Sequence, residues 1–131
     1  MKRTNLFSLG ASIVSLLASL ALIGQVNAAD TDEAAIEKVM KTYHKAPKGE
    51  DPLCKKAVEG KATPEEIKKL VAAYKVLAAA KPTRGETASW KEKTSKLLTA
   101  AEGLEKGGTE AAAKYKAALN CKACHDVHKP E

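Results

Sequence analysis

Thr63-Pro64-Glu65-Glu66-Ile67-Lys68-Lys69-Leu70-Val71-Ala72-Ala73-Tyr74 reads as the opening of a helix, and it sets the class of the fold. Thr63 is a capping residue. Pro64 takes the first helical position, where a missing N–H leaves no bond unmade, and Glu66 completes a capping box. The apolar side chains Ile67, Leu70, Val71, Tyr74, Leu77 and Ala78 recur at helical spacing and so share one face. The helix stops before Lys81-Pro82, because proline pushes the residue ahead of it out of the helical region.

The same period extends outward on both sides. Upstream, Asp30 with Glu33 forms a second capping-box pattern, followed by the stripe Ile36, Val39, Met40 and Tyr43 and the breakers Pro47 and Gly49. Between the two helices, Asp51-Pro52, then Leu53 to Glu59, then Gly60 reads as a short helix with an acidic cap, proline at the first position and glycine past the end. Its apolar side is Leu53, Cys54, Ala57 and Val58. Downstream, Pro82 to Glu86 is a short joint, which makes its flanking helices antiparallel neighbours. Thr87 is the expected cap of the next helix, whose seam is Trp90, Thr94, Leu97, Leu98, Ala101 and Leu104 and whose end is Gly107-Gly108. Thr109 is expected to cap a last helix that carries Ala112, Tyr115, Ala118 and Leu119 and runs directly into Cys121. No segment alternates as a strand does. Residues 29–131 are thus expected to form one all-α domain, an antiparallel four-helix bundle.

Residues 1–28 read as a signal peptide. Met1-Lys2-Arg3 is basic, and the apolar run from Leu6 to Gly24 is interrupted by Ser8, Gly10, Ser12, Ser15 and Ser19. Val26 and Ala28 supply small residues for cleavage after Ala28. The expectation is a periplasmic protein with no stable membrane insertion after cleavage. The chain carries a net charge of +6, of which Lys2 and Arg3 supply two, leaving +4 on residues 29–131. Such an excess, interleaved with acids, is too small to argue nucleic-acid binding. It favours encounter with protein partners that present acidic docking surfaces. Large side chains are scarce: three Tyr, one Trp and a single Phe, Phe7, which leaves with the signal. An alanine-rich core buries little area per residue and gains from a large apolar cofactor.

Near the C-terminus stands Cys121-Lys122-Ala123-Cys124-His125, the C-x-x-C-H pattern of c-type haem attachment. Each thiol adds its S–H across one porphyrin vinyl group, so the two sulfurs must lie about one helical turn apart on one face. The next residue, His125, is then held where its imidazole reaches the iron as proximal ligand. A structural zinc site needs four N or S ligands, and a thioredoxin-like C-x-x-C needs a βαβ setting. Neither pattern accompanies these residues. The expected cofactor is one haem c per chain, with iron, anchored by Cys121 and Cys124. Covalent attachment is made outside the bacterial cytoplasmic membrane, in accord with the signal peptide.

Over residues 30–129 the chain resembles the class II c-type cytochromes, the cytochrome c′ family, which are four-helix bundles with C-x-x-C-H near the C-terminus. Trp90 matches a tryptophan common near the start of the family's third helix. After the motif, Lys129 matches a basic position, while His128 stands where the family often has an aromatic residue. The resemblance implies that the first helix covers the other face of the haem and supplies the distal residue. Met40 is in the position of the low-spin, methionine-ligated branch, whose members carry single electrons. His44, one turn further and about 6 Å along the axis, is the other candidate for distal iron ligand. Members with no sixth protein ligand instead bind nitric oxide or carbon monoxide, which is the alternative function. Homodimers through the first two long helices are common in the family. No nucleophile–base pair reads as catalytic, so an enzyme is not expected. Cys54 is expected to be buried as a small hydrophobe, and His128 to face water near the haem edge.

Overall fold

A computed structural model describes residues 28–131; the expected signal peptide and its cleavage point lie outside the described residues, apart from Ala28. Those residues form six helices, α1 (Ala28–Tyr43), α2 (Leu53–Val58), α3 (Pro64–Ala79), α4 (Thr87–Lys106), α5 (Ala111–Ala118) and α6 (Cys121–His128), with no strand among them. The helical class is as expected from the stripes.

Helix α3 forms as its sequence dictates. The Glu66 N–H donates to Thr63 Oγ1 at 3.2 Å, and the Thr63 N–H donates to Glu66 Oε2 at 2.8 Å, so two orphan donors are satisfied reciprocally. Leu70, Val71, Tyr74 and Leu77 are buried, together with Ala73, while Ile67 and Ala78 are half-buried. Helix α2 ends in a Schellman turn: Gly60 has φ +69°, the Lys61 N–H donates to the Lys56 carbonyl and the Gly60 N–H to the Ala57 carbonyl.

Other boundaries differ from the sequence expectation. In α2 the cap is Pro52 itself, and Asp51 instead pairs with Lys55 at 2.6 Å. The backbone of Asp30 lies inside α1, which already includes Ala28 and Ala29, both strong helix formers. Thr87 is the first residue of α4, with Glu86 at the cap position. Thr109 lies before the cap of α5, which is Glu110; neither glutamate makes a side-chain capping bond. The largest difference is at the last helix. It does not run directly into Cys121 but breaks at Leu119 and Asn120, and α6 starts anew.

Packing converges on one core: Val39 from α1, Ala57 from α2, Leu70, Val71, Ala73, Tyr74 and Leu77 from α3, Trp90 and Ala101 from α4, and Tyr115 from α5. Helix α4 packs against both α3 and α5, α1 against α3, and α2 against α3 and α5. Polar atoms drawn into this core are satisfied. The Trp90 Nε1–H donates to the Leu77 carbonyl at 2.9 Å, and the Thr94 hydroxyl donates to the Trp90 carbonyl at 2.9 Å. The Tyr74 and Tyr115 hydroxyls share a hydrogen bond of 2.6 Å that joins α3 to α5. On the surface, pairs such as Lys41–Glu37 and Lys96–Glu92 at i, i+4 lie along single helices, fully exposed to solvent screening. No helix of the described residues is long and apolar enough to cross a membrane.

Candidate functional site

The break before α6 sets the first functional side chains. The Asn120 side chain accepts a hydrogen bond from the Ala123 N–H at 3.1 Å, and the Cys124 N–H donates to the Asn120 carbonyl at 3.2 Å. This is an N-cap, and it places Cys121 and Cys124 on the first turn of α6, one turn apart. Asn before a helical run is a capping signal legible in the sequence, but the apolar period carried across Leu119 and hid it. Cys121 is exposed, Cys124 is half-buried against the core, and His125 is exposed. Burial raises the Cys124 thiol above its ordinary pKa. Lys122 and Asp126 pair at 2.6 Å on the solvent side.

These residues open onto a cavity of about 410 Å³ between α1, α4 and the α5–α6 junction. That volume lies in the range of small-molecule and cofactor sites. Cys121, Cys124 and His125 line it from α6, Trp90, Thr94 and Leu97 from α4, and Met40 and His44 from the end of α1. The fold therefore brings together all five residues that the sequence marked as haem anchors or iron ligands.

Met40 is half-buried and also packs against the core cluster. His44 follows the last turn of α1, where its N–H still donates to the Met40 carbonyl at 3.1 Å. Its ring lies 5.7 Å from the Tyr74 ring at a 50° tilt. Its Nε2 is buried and has no hydrogen-bond partner. Burial foremost, and then the nearby His125, lower the His44 pKa to about 4, so the imidazole is neutral at pH 7. Cys54, 6 % exposed, borders the same cavity and is buried as expected; burial raises its thiol pKa.

His128 does not face water. It is 4 % exposed, with Nδ1 2.9 Å from the Arg84 carbonyl and Nε2 3.1 Å from the Ser89 hydroxyl. A carbonyl only accepts, so Nδ1 carries a proton; in the neutral ring the Ser89 hydroxyl then donates to Nε2. The ring stands edge-on to Trp90, centroids 5.4 Å apart at 78°. Gly85 is needed beneath it: φ there is +81°, and a Cβ would sit 2.6 Å from His128 Nδ1. A signal for this burial was present in the sequence. His128 lies four residues after Cys124, one turn on along the face of α6 that Cys124 packs inward.

Among the described residues no group of three or more His, Cys, Asp or Glu is placed to hold a bare metal ion. The donor set fits a covalently attached haem: two thiols one turn apart, an adjacent imidazole, a largely apolar cavity, and among its lining residues a histidine, His44, whose buried Nε2 has no partner. Compared with protein-family models, with curated proteins and with solved structures, the chain finds no match in any of the three.

Proposed function

We propose that the chain is a periplasmic mono-haem c-type cytochrome that carries single electrons, built as a four-helix bundle of the cytochrome c′ kind. One observation carries this reading: the C-x-x-C-H residues border one apolar cavity together with side chains from α1. Haem c, when bound, supplies an iron that changes oxidation state by one electron. Cys121 and Cys124 hold it through thioether bonds, and His125 ligates the iron on the proximal side. Trp90, Leu97 and Leu77 offer the cavity apolar walls. A side chain at the end of α1 takes the distal side: Met40 by the resemblance, or His44 one turn on. Partners are redox proteins that present acidic docking surfaces to a mildly basic domain.

The test is expression of the full chain with a c-type haem maturation system. A pyridine haemochrome assay after acid–acetone extraction is expected to return one covalent haem per chain, with a low-spin spectrum that cycles reversibly between two oxidation states. Absence of covalent haem overturns the cofactor. A high-spin spectrum that changes on adding carbon monoxide overturns the electron carrier in favour of gas binding.

A further inference from the structure

Met40 in α1 and His44 just past its end both border the cavity, and they place different demands on whatever fills it. A thioether is a weak acceptor and rests against apolar neighbours without a partner, as Met40 does against the core. An imidazole nitrogen does not, because burying it without a hydrogen bond or a ligand is unfavourable. Elsewhere the fold meets that demand: the buried polar atoms of Trp90, Thr94, Tyr74, Tyr115 and His128 all have partners. Among the described residues, His44 Nε2 is the one buried side-chain nitrogen or oxygen left without any. The ring is also held. It leans on Tyr74, whose hydroxyl is tied to Tyr115, so the wall behind His44 is fixed from two helices.

We propose that His44 Nε2, rather than the Met40 sulfur, is the distal iron ligand, opposite His125. This rests on the haem reading above and names the ligand that completes it. Met40 then belongs to the apolar wall. Two imidazoles give a lower potential than a histidine–methionine pair, so the protein serves the low-potential side of a one-electron exchange.

The experiment uses the full-length, haem-loaded protein in its oxidised form, with Met40→Leu and His44→Leu variants. Optical and electron paramagnetic resonance spectra of the wild type are expected to be low-spin and to lack the long-wavelength sulfur-to-iron charge-transfer band of methionine ligation. Met40→Leu is expected to keep the low-spin spectrum, with no more than the modest shift in potential that a changed cavity wall brings. His44→Leu is expected to abolish the wild-type low-spin signal, leaving either a high-spin iron that takes carbon monoxide once reduced or, in the oxidised protein, a new sulfur band from Met40. His44→Met is expected to create that band and raise the potential. A sulfur band in the wild type that Met40→Leu removes overturns the assignment. So does a wild-type spectrum that His44→Leu leaves unchanged, or a five-coordinate wild type. The wild-type spectra decide the matter even if a variant fails to fold. The haemochrome content of the same samples separates failure of this ligand from failure of the haem reading.

Discussion

Two histidines enter the interior, one just past α1 and one at the end of α6, and the chain treats them differently. His128, at the end of α6, has both ring nitrogens engaged by Arg84 and Ser89, an aromatic edge at Trp90, and a glycine shaped to its ring. His44, at the end of α1, rests on Tyr74 but leaves Nε2 buried and unpartnered beside a cavity. Where the chain supplies the partners, a histidine is part of the scaffold. Where it withholds them beside C-x-x-C-H, the partner we propose is the iron of a bound haem.

The sharpest break in that contrast comes from the proposed haem anchors. Replacing Cys121 and Cys124 together by serine is expected to abolish covalent haem in the haemochrome assay. The helical circular dichroism should persist, because the bonds of the His128 latch do not involve the thiols.

Next is the latch itself. His128→Ala leaves the Arg84 carbonyl and Ser89 hydroxyl unpaired and opens space beside Trp90, a loss of about 3 kcal/mol. Thermal unfolding followed by circular dichroism measures it, and the haem ligation spectrum should be unaffected. An unchanged melting temperature would remove His128 from the scaffold and with it half of the contrast.

Acidification probes the other histidine. In the double-serine, haem-free chain, folded His44 titrates at about 4 against an ordinary 6.5, because of burial first and His125 second. The unfolded chain then binds the proton more readily, so this group's share of stability is fully present above pH 6.5 and is lost as pH falls toward 4. The ceiling on that loss is about 3 kcal/mol. Urea titrations across that range, with and without His44→Leu, isolate it.

The smallest effect is expected of Tyr74→Phe. It keeps the ring behind His44 but strands the Tyr115 hydroxyl in the core, for about 1–2 kcal/mol in chemical denaturation.

Much of this arrangement was legible before any coordinates. Helix α3 combined an explicit capping box with an unbroken stripe, and both appear as read. The starts of α1, α4 and α5 shifted because Ala28-Ala29 extends the first helix, while Glu86 and Glu110 hold cap positions without a side-chain bond. Thr87 and Thr109 nearby suggested capping bonds, but the cap positions fall on the glutamates instead. The attachment motif is local and could be read at once. The cavity is not local: it exists because α1 packs on α3, and α4 on α3 and α5, leaving space between. No pattern in the chain states that one imidazole nitrogen there has no partner, or that His128 meets Gly85 across more than forty residues of sequence.

The break at Leu119 and Asn120 has a consequence for engineering. In a continuous helix, one residue inserted ahead of Cys121 would turn both thiols by about 100° and swing them off the cavity. Because α6 starts from its own asparagine cap, the orientation of the thiols is set within Asn120–Cys124 and by the latch at His128. The Cys121–Cys124 turn is therefore expected to keep its orientation when α5 changes in length, as long as the Asn120 cap and the His128 bonds to Arg84 and Ser89 are kept.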